Sequence, residues 1–132
     1  MLEIVIGGKA QGKLSYVLDK TGYKIEEICD EDSMILGEEI TSCVINHFHL
    51  CIRKALQESY DLNQLVNDIL AVKRDMYLIC DEVGSGVVPV DAFERQYREQ
   101  VGRVMCKLTR SAHKVVRVQC GIATIIKGLK TI

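Results

Sequence analysis

Short apolar runs alternate with amphipathic stretches along the chain, and this alternation predicts strands followed by helices. Residues 2–6 form a β-branched apolar run that two glycines end, which is typical of a buried strand. Residues 13–20 predict a short helix, with Gly22 placed as its C-terminal cap. Residues 21–33 are polar and acidic and predict a solvated connection, after which residues 34–36 predict a brief strand.

The middle of the chain predicts two helices and a strand. Apolar residues recur every three or four positions from Ile40 to Leu56, so we expect one helix of about four turns there. Asp61 begins a second predicted helix, and Gln64 has the spacing of a capping box. Residues 76–80 are apolar and predict the next strand.

The last third of the chain predicts the longest helix and two strands. Asp91 is the expected start of the helix, whose apolar positions step by three or four between residues 93 and 112. Residues 115–120 and 122–126 predict strands separated by a glycine. Strands that alternate with helices favour an α/β domain with a mainly parallel central sheet, and no linker or repeat divides residues 1–132.

Composition excludes several classes of partner. The 132 residues are 48% hydrophobic, which is enough for one core and one domain. The chain has 17 Lys and Arg and 18 Asp and Glu. The net charge of −1 therefore gives no excess of basic residues that would attract nucleic acid or an anionic membrane surface. No apolar run approaches the length of a membrane span, and the N-terminal apolar run is too short for a signal peptide.

The six cysteines are scattered, without the paired spacing of metal ligands. With no secretion signal, they are interpreted as small buried apolar residues in a reducing cytoplasm. The sequence therefore predicts a cytoplasmic chain with no metal site.

The strongest candidate for chemistry follows the first predicted strand and fits the pattern G-x-x-x-x-G-K. Its residues are Gly7, Gly8, Lys9, Ala10, Gln11, Gly12 and Lys13. In a P-loop, such glycines let backbone N–H groups surround phosphate oxygens, and the lysine neutralises the outer phosphates. The alternative is a plain glycine turn between a strand and a helix. The strand before and the helix after favour a P-loop.

One position departs from the P-loop pattern. Leu14 stands where a hydroxyl residue would ligate Mg²⁺. Ser15 is the nearest hydroxyl and is kept as a candidate contact, although it lies about 100° further round the helix. We therefore expect phosphate binding to survive better than catalysis that depends on magnesium.

A second candidate segment, residues 81–89, follows the predicted strand at 76–80. In open parallel sheets, ligands bind at the carboxyl ends of the strands, so this loop is expected at the same edge as the P-loop. Asp81 or Glu82 can accept hydrogen bonds from a ligand there or approach a metal ion. A solvated turn is the alternative for this acidic pair.

Together these segments resemble the adenosylcobinamide kinase/adenosylcobinamide-phosphate guanylyltransferase family of cobalamin biosynthesis. Residues 37–46, GEEITSCVIN, look like the family's acidic residue and the helix start that follows it. Residues 82–89, EVGSGVVP, and residues 97–104, YREQVGRV, are the most specific part of the likeness. The likeness covers most of the chain and implies a P-loop three-layer fold.

The resemblance implies an activity and its residues. Family members phosphorylate the hydroxyl of the corrinoid's aminopropanol arm with a nucleoside triphosphate. They then transfer GMP from GTP through a guanylylated histidine, and they form ring-like oligomers. Carried over, Lys13 and Glu38 occupy catalytic positions, and Glu82 lies at the nucleotide edge. GTP or ATP is the implied ligand, a corrinoid is a further partner, and a homo-oligomer is expected.

The departures from the family pattern change the expected function. The acceptor histidine should lie between the P-loop helix and Glu38, but residues 15–34 contain no histidine, and a strand-helix unit is missing there. His47, His49 and His113 stand elsewhere and cannot inherit the acceptor position. Met105 replaces an asparagine of the pattern.

Three hypotheses follow for the function. The first is a shortened nucleotide-binding family member that has lost guanylyl transfer and whose kinase activity is left open. The second is a non-catalytic subunit that binds a partner protein or a corrinoid intermediate. The third, an unrelated small P-loop kinase, is disfavoured by the EVGSGVVP run.

Overall fold

The computed structural model describes residues 1–83 and 88–128, which form one six-stranded sheet with helices on both faces. The strands are β1 (Leu2–Gly7), β2 (Ile28–Cys29), β3 (Val44–Ile45), β4 (Met76–Asp81), β5 (Lys114–Gln119) and β6 (Ile122–Lys127). The helices are α1 (Lys13–Thr21), α2 (Phe48–Gln57), α3 (Leu62–Leu70) and α4 (Ala92–Ser111), with a 3₁₀ turn at Ile25–Glu27.

The strand order is β2-β3-β4-β1-β5-β6, and every pairing is parallel except the one between β5 and β6. The predicted α/β P-loop fold with a mainly parallel sheet is therefore confirmed. Because β4 and β5 flank β1 in parallel, their carboxyl ends meet at the edge where β1 ends. That edge is where the loop before α1 lies.

The two faces of the sheet carry different layers. Helices α2, α3 and α4 pack on one face and bury the larger apolar cluster, which includes Phe48, Leu65 and Leu108. Helix α1 packs on the other face, where Val17 joins Val5 and other strand residues in a smaller cluster. Burial of these side chains supplies most of the driving force for the fold.

Three helix ends follow the sequence prediction. Asp61 accepts a hydrogen bond from Asn63 N, and Asp91 accepts from two amides at the start of α4. Gly22 adopts the left-handed conformation that caps α1. The predicted capping box does not form, because the Gln64 amide donates to Asp68 on the next turn instead.

The sequence prediction is wrong at β2 and over residues 34–47, whereas residues 21–33 are exposed or half-buried, as expected of a solvated connection. The connection at 21–33 contains the 3₁₀ turn and the edge strand β2, and residues 34–36 form no strand. The predicted helix from Ile40 begins only at Phe48, because residues 44–45 pair with β4 as β3. A two-residue strand depends on partners distant in sequence, and such strands leave almost no local pattern.

The cysteines divide by burial. Cys51 and Cys80 are buried as predicted, and burial raises the pKa of each thiol to about 12. Cys106 and Cys120 are exposed, so the prediction is wrong for them, and Cys29 and Cys43 are intermediate. The described residues contain no group of three or more side chains that could hold a metal ion. In the same ranges no helix is both long and apolar enough to cross a membrane.

Candidate functional site

The candidate site is the loop between β1 and α1. The loop turns sharply because Ala10 and Gly12 both adopt left-handed backbone conformations, with φ of 58° and 93°. Lys13 is the first residue of α1, and its side chain is only 6% exposed. Its ammonium donates to the Gly8 carbonyl at 2.6 Å and so folds back over the loop.

Asp81, the last residue of β4, supplies the counter-charge for this ammonium. Its Oδ1 lies 2.8 Å from Lys13 Nζ, and 22% of its side chain remains exposed. A buried ammonium is costly unless it is paired and hydrogen-bonded, and Gly8 and Asp81 together meet that need. The sequence had singled out Asp81 only as one member of an ordinary acidic pair.

His49 lies on the other side of Asp81. The Asp81 amide donates to His49 Nδ1 at 3.1 Å, and His49 Nε2 lies 3.5 Å from Asp81 Oδ2. Burial lowers the pKa of His49, and the Asp81 carboxylate only partly opposes this effect. The imidazole is therefore held neutral, with Nδ1 as the acceptor and the proton on Nε2 facing the carboxylate. The Tyr97 hydroxyl donates to the His49 carbonyl at 2.9 Å and fixes this turn of α2.

The turn between β5 and β6 is tied to the same loop. Gln11 accepts the Cys120 amide with its side chain at 2.7 Å and the Gly121 amide with its carbonyl at 2.9 Å. A Cβ added to Gly7 would lie 2.3 Å from the Val118 carbonyl oxygen, so only glycine fits where β1 and β5 approach. The glycine at 7 therefore serves packing of the sheet as well as the loop.

Glu82 is also brought to this edge, as expected from the sequence. Its amide donates to the Gly7 carbonyl at 2.8 Å. Its carboxylate pairs with Arg117 on β5, with Arg117 Nε 2.8 Å from Glu82 Oε1. Any contact of Glu82 with a nucleotide stays a prediction. The rest of the predicted EVG loop, residues 84–87, lies outside the described residues.

Two candidate residues lie apart from Lys13. Glu38 is exposed and lines cavities of about 630 and 570 Å³ at the β2 side of the sheet, and neither cavity is lined by any residue of the loop at 7–13. Ser15 lies on the outer surface of α1, where it lines a separate cleft with Gly12. The catalytic role expected for Glu38 stays a prediction.

Leu14 does not fit a magnesium site. Its side chain packs against the apolar cluster between α1 and the sheet, so position 14 supplies no oxygen ligand. The Asp81 carboxylate, the nearest acidic group to Lys13, is already engaged by Lys13 and His49. No chemical step is therefore derived through a metal ion.

The comparison with known families identifies one family that covers most of the chain. The family model described as cobinamide kinase / cobinamide phosphate guanyltransferase matches residues 5–126. The chain belongs to this family. Membership supports a role in cobalamin biosynthesis with nucleotide binding, and residues 7–13 lie inside the matched range. No curated protein matches this sequence.

Sequence reasoning missed His49, and it kept Asp81 as a candidate without its pairing to Lys13 and His49. His49 and Asp81 are 32 positions apart, and only the packing of α2 beside β4 brings them together. The available sign was that Asp81 ends an apolar strand, where ligand-binding carboxylates are common in parallel sheets. His49 carried no comparable sign, because it stands between the apolar residues Phe48 and Leu50 within a segment whose apolar spacing predicts only an amphipathic helix.

Proposed function

We propose that the chain binds the phosphates of GTP or ATP with residues 7–13 and acts in cobalamin biosynthesis as a nucleotide-binding protein that has lost guanylyl transfer. The observation that carries the proposal is the Lys13 ammonium, buried over the loop and held by Gly8 and Asp81. A cation placed at a helix N-terminus beside a glycine turn is the usual arrangement for binding phosphate.

Nucleotide binding would give the Lys13 ammonium a new partner. Phosphate oxygens would accept hydrogen bonds from loop and helix amides and pair with Lys13, while Asp81 stays beside the same ammonium. His49 holds Asp81 by its amide and faces its carboxylate, so the acid cannot swing freely toward the entering phosphates.

The loss of guanylyl transfer rests on the three histidines. His49 is buried against Asp81, and the Nδ1 of His113 accepts the Leu2 amide at 3.2 Å. His47 lies 3.5 Å from a Glu31 oxygen, on the turn before α2. Each ring is therefore already engaged by another group of the chain: His49 by Asp81, His113 by the Leu2 amide and His47 by Glu31. Phosphoryl transfer to a corrinoid hydroxyl is the activity to be assayed beside binding.

The direct test is the melting temperature with nucleotide. A ligand that binds only the folded state stabilises it, by about 2.7 kcal/mol at 100 times Kd, which corresponds to roughly 5 °C or more for a chain of this size. We expect this rise with GTP or ATP, with and without Mg²⁺, and we expect Lys13→Met to abolish it.

The matched control is Lys127→Met. Lys127 also donates to two carbonyls, those of Thr109 and Arg110. It lies at the end of β6 that pairs with the start of β5, which is the edge of the sheet opposite the loop at 7–13. This variant should keep the nucleotide effect. An unchanged melting temperature of the wild type at millimolar nucleotide would overturn the proposal. The hypothesis of a non-catalytic subunit that binds a partner protein or a corrinoid intermediate would then remain. Covalent GMP on the protein after incubation with labelled GTP would contradict the loss of guanylyl transfer.

A further inference from the structure

A cleft of about 440 Å³ runs along α1 next to the phosphate loop, and we call it the α1 cleft. Its size is within the range of small-molecule sites. It is lined by Gly12, Ser15, Tyr16, Asp19, Lys20 and Gly121. The candidate site as described so far gives none of Tyr16, Asp19 and Lys20 a role, and the α1 cleft has no assigned occupant.

The far wall of the α1 cleft is fixed to the phosphate loop. The two hydrogen bonds that Gln11 accepts from the Cys120 and Gly121 amides hold Gly121 against the loop. A Cβ on Gly12 would lie 3.4 Å from the Gly121 Cα, so the two glycine backbones approach closely. The cleft is thus formed before any ligand binds, and its opening begins where the loop ends.

The position of the α1 cleft relative to the loop suits one part of a nucleotide. Phosphates in a P-loop are held by amides from the loop to the first turn of the helix. The phosphate that carries the nucleoside leaves this cradle at the first turn of α1. Gly12 and Ser15 flank that turn and also line the α1 cleft, so the nucleoside would continue into it.

Asp19 gives the α1 cleft its chemistry. It is exposed and makes no hydrogen bond or ion pair within residues 1–83 and 88–128. The neighbouring Lys20 is already committed, because its ammonium donates to Glu3 at 2.6 Å. The Asp19 carboxylate is therefore an acceptor with two oxygens and no partner at the wall of a preformed cleft.

Resting on the proposed function, we propose that the α1 cleft holds the nucleoside of the bound nucleotide and that Asp19 selects guanine over adenine. Guanine presents two neighbouring donors, N1–H and the N2 amino group, which match the two oxygens of a carboxylate. Adenine presents an acceptor at N1, which the carboxylate repels. Because guanine presents donors where adenine presents an acceptor, Asp19 would determine which of the two bases binds.

The test compares the Kd of GTP, ATP and xanthosine triphosphate for the wild type and for Asp19→Asn. We expect GTP to bind the wild type about tenfold more tightly than ATP, which is the scale of a paired contact to a base edge. Xanthine carries a carbonyl where guanine has its amino group. The asparagine amide can donate to that carbonyl, so the variant should lose affinity for GTP and gain it for xanthosine triphosphate.

Asp32→Asn is the matched control, because Asp32 is an exposed aspartate outside the α1 cleft, and it should leave all three Kd values unchanged. Equal affinity of the wild type for GTP and ATP, or no exchange of preference in Asp19→Asn, would overturn the inference. In either case, binding that Lys13→Met abolishes leaves the proposed function standing. Absence of binding by any of the three nucleotides would overturn both.

Discussion

Helix α1 carries two buried ion pairs, one at each end of the sheet, and they differ in which partner is buried. At the carboxyl edge, Lys13 pairs with Asp81 at 2.8 Å, and at the amino edge Lys20 pairs with Glu3 at 2.6 Å. The lysines are seven residues apart, so they lie on the same face of the helix. The same helix face thus reaches a carboxylate at both ends.

The exposure of the partners is reversed between the two pairs. At the amino edge the Glu3 side chain is 4% exposed and the lysine reaches water. At the carboxyl edge the lysine is buried and Asp81 reaches water. A buried carboxylate needs its cation for the fold, whereas a buried cation beside an open glycine loop can take an anion from solution. The amino-edge pair is structural, and the carboxyl-edge pair is suited to binding.

The largest expected effect is on the free energy of unfolding, and it distinguishes Gly7, which is packed against β5, from its neighbour Gly8. Gly7→Ala should lower the free energy of unfolding by about 3 kcal/mol, because its Cβ would lie 2.3 Å from the Val118 carbonyl oxygen. Gly8→Ala should change it by less than about 0.5 kcal/mol, since the nearest atom is the flexible Gln11 Cγ at 3.5 Å. Urea denaturation of both variants checks this, and equal losses would refute the distinction.

The next effect tests the two ion pairs directly. Lys20→Met should lower the free energy of unfolding by about 3 kcal/mol, because it removes the ammonium that is hydrogen-bonded to the buried Glu3 carboxylate. Lys13→Met should cost only about 1 kcal/mol, since Asp81 keeps access to water and its bond to His49. Denaturant melts of the two variants measure the difference. A larger loss in Lys13→Met would reverse the comparison.

The smallest expected effect is the pH dependence that His49 adds at the carboxyl edge. Burial lowers the pKa of His49 in the folded state below that of the unfolded chain, which is about 6.5. As the pH falls through this value, the unfolded chain takes up the proton before the folded chain does. Stability from this residue is present above that pH and is lost as the pH falls. The charged and titratable groups that act on the ring are Asp81, His47, Lys13 and Glu31.

His49→Asn is the variant that measures this effect. Its side-chain oxygen can accept the Asp81 amide in place of Nδ1, but it does not titrate. The variant should therefore keep its stability near neutral pH and lose less than the wild type between pH 7 and 5. Parallel pH profiles for the two proteins would show that His49 does not titrate with unfolding.

The elements that local sequence predicted well are those whose causes lie within a few residues. The apolar runs of β1, β4 and β5, the N-cap residues Asp61 and Asp91, and the glycine that ends α1 each act through neighbours in the chain. The segment around β2 and β3 was not predictable in this way. There, Lys54 and Arg74 hold backbone carbonyls from more than 19 residues away.

The sequence alone determined the α/β fold class, the position of the glycine-rich loop at residues 7–13 between a strand and a helix, and the family resemblance, because these depend on local order and on short motifs. Only the tertiary structure decided that Asp81 pairs with both Lys13 and His49, and that Glu38 lines a cavity to which the loop at 7–13 contributes no residue. The physical reason is that charge pairing and burial act through space, between residues that the chain order keeps far apart.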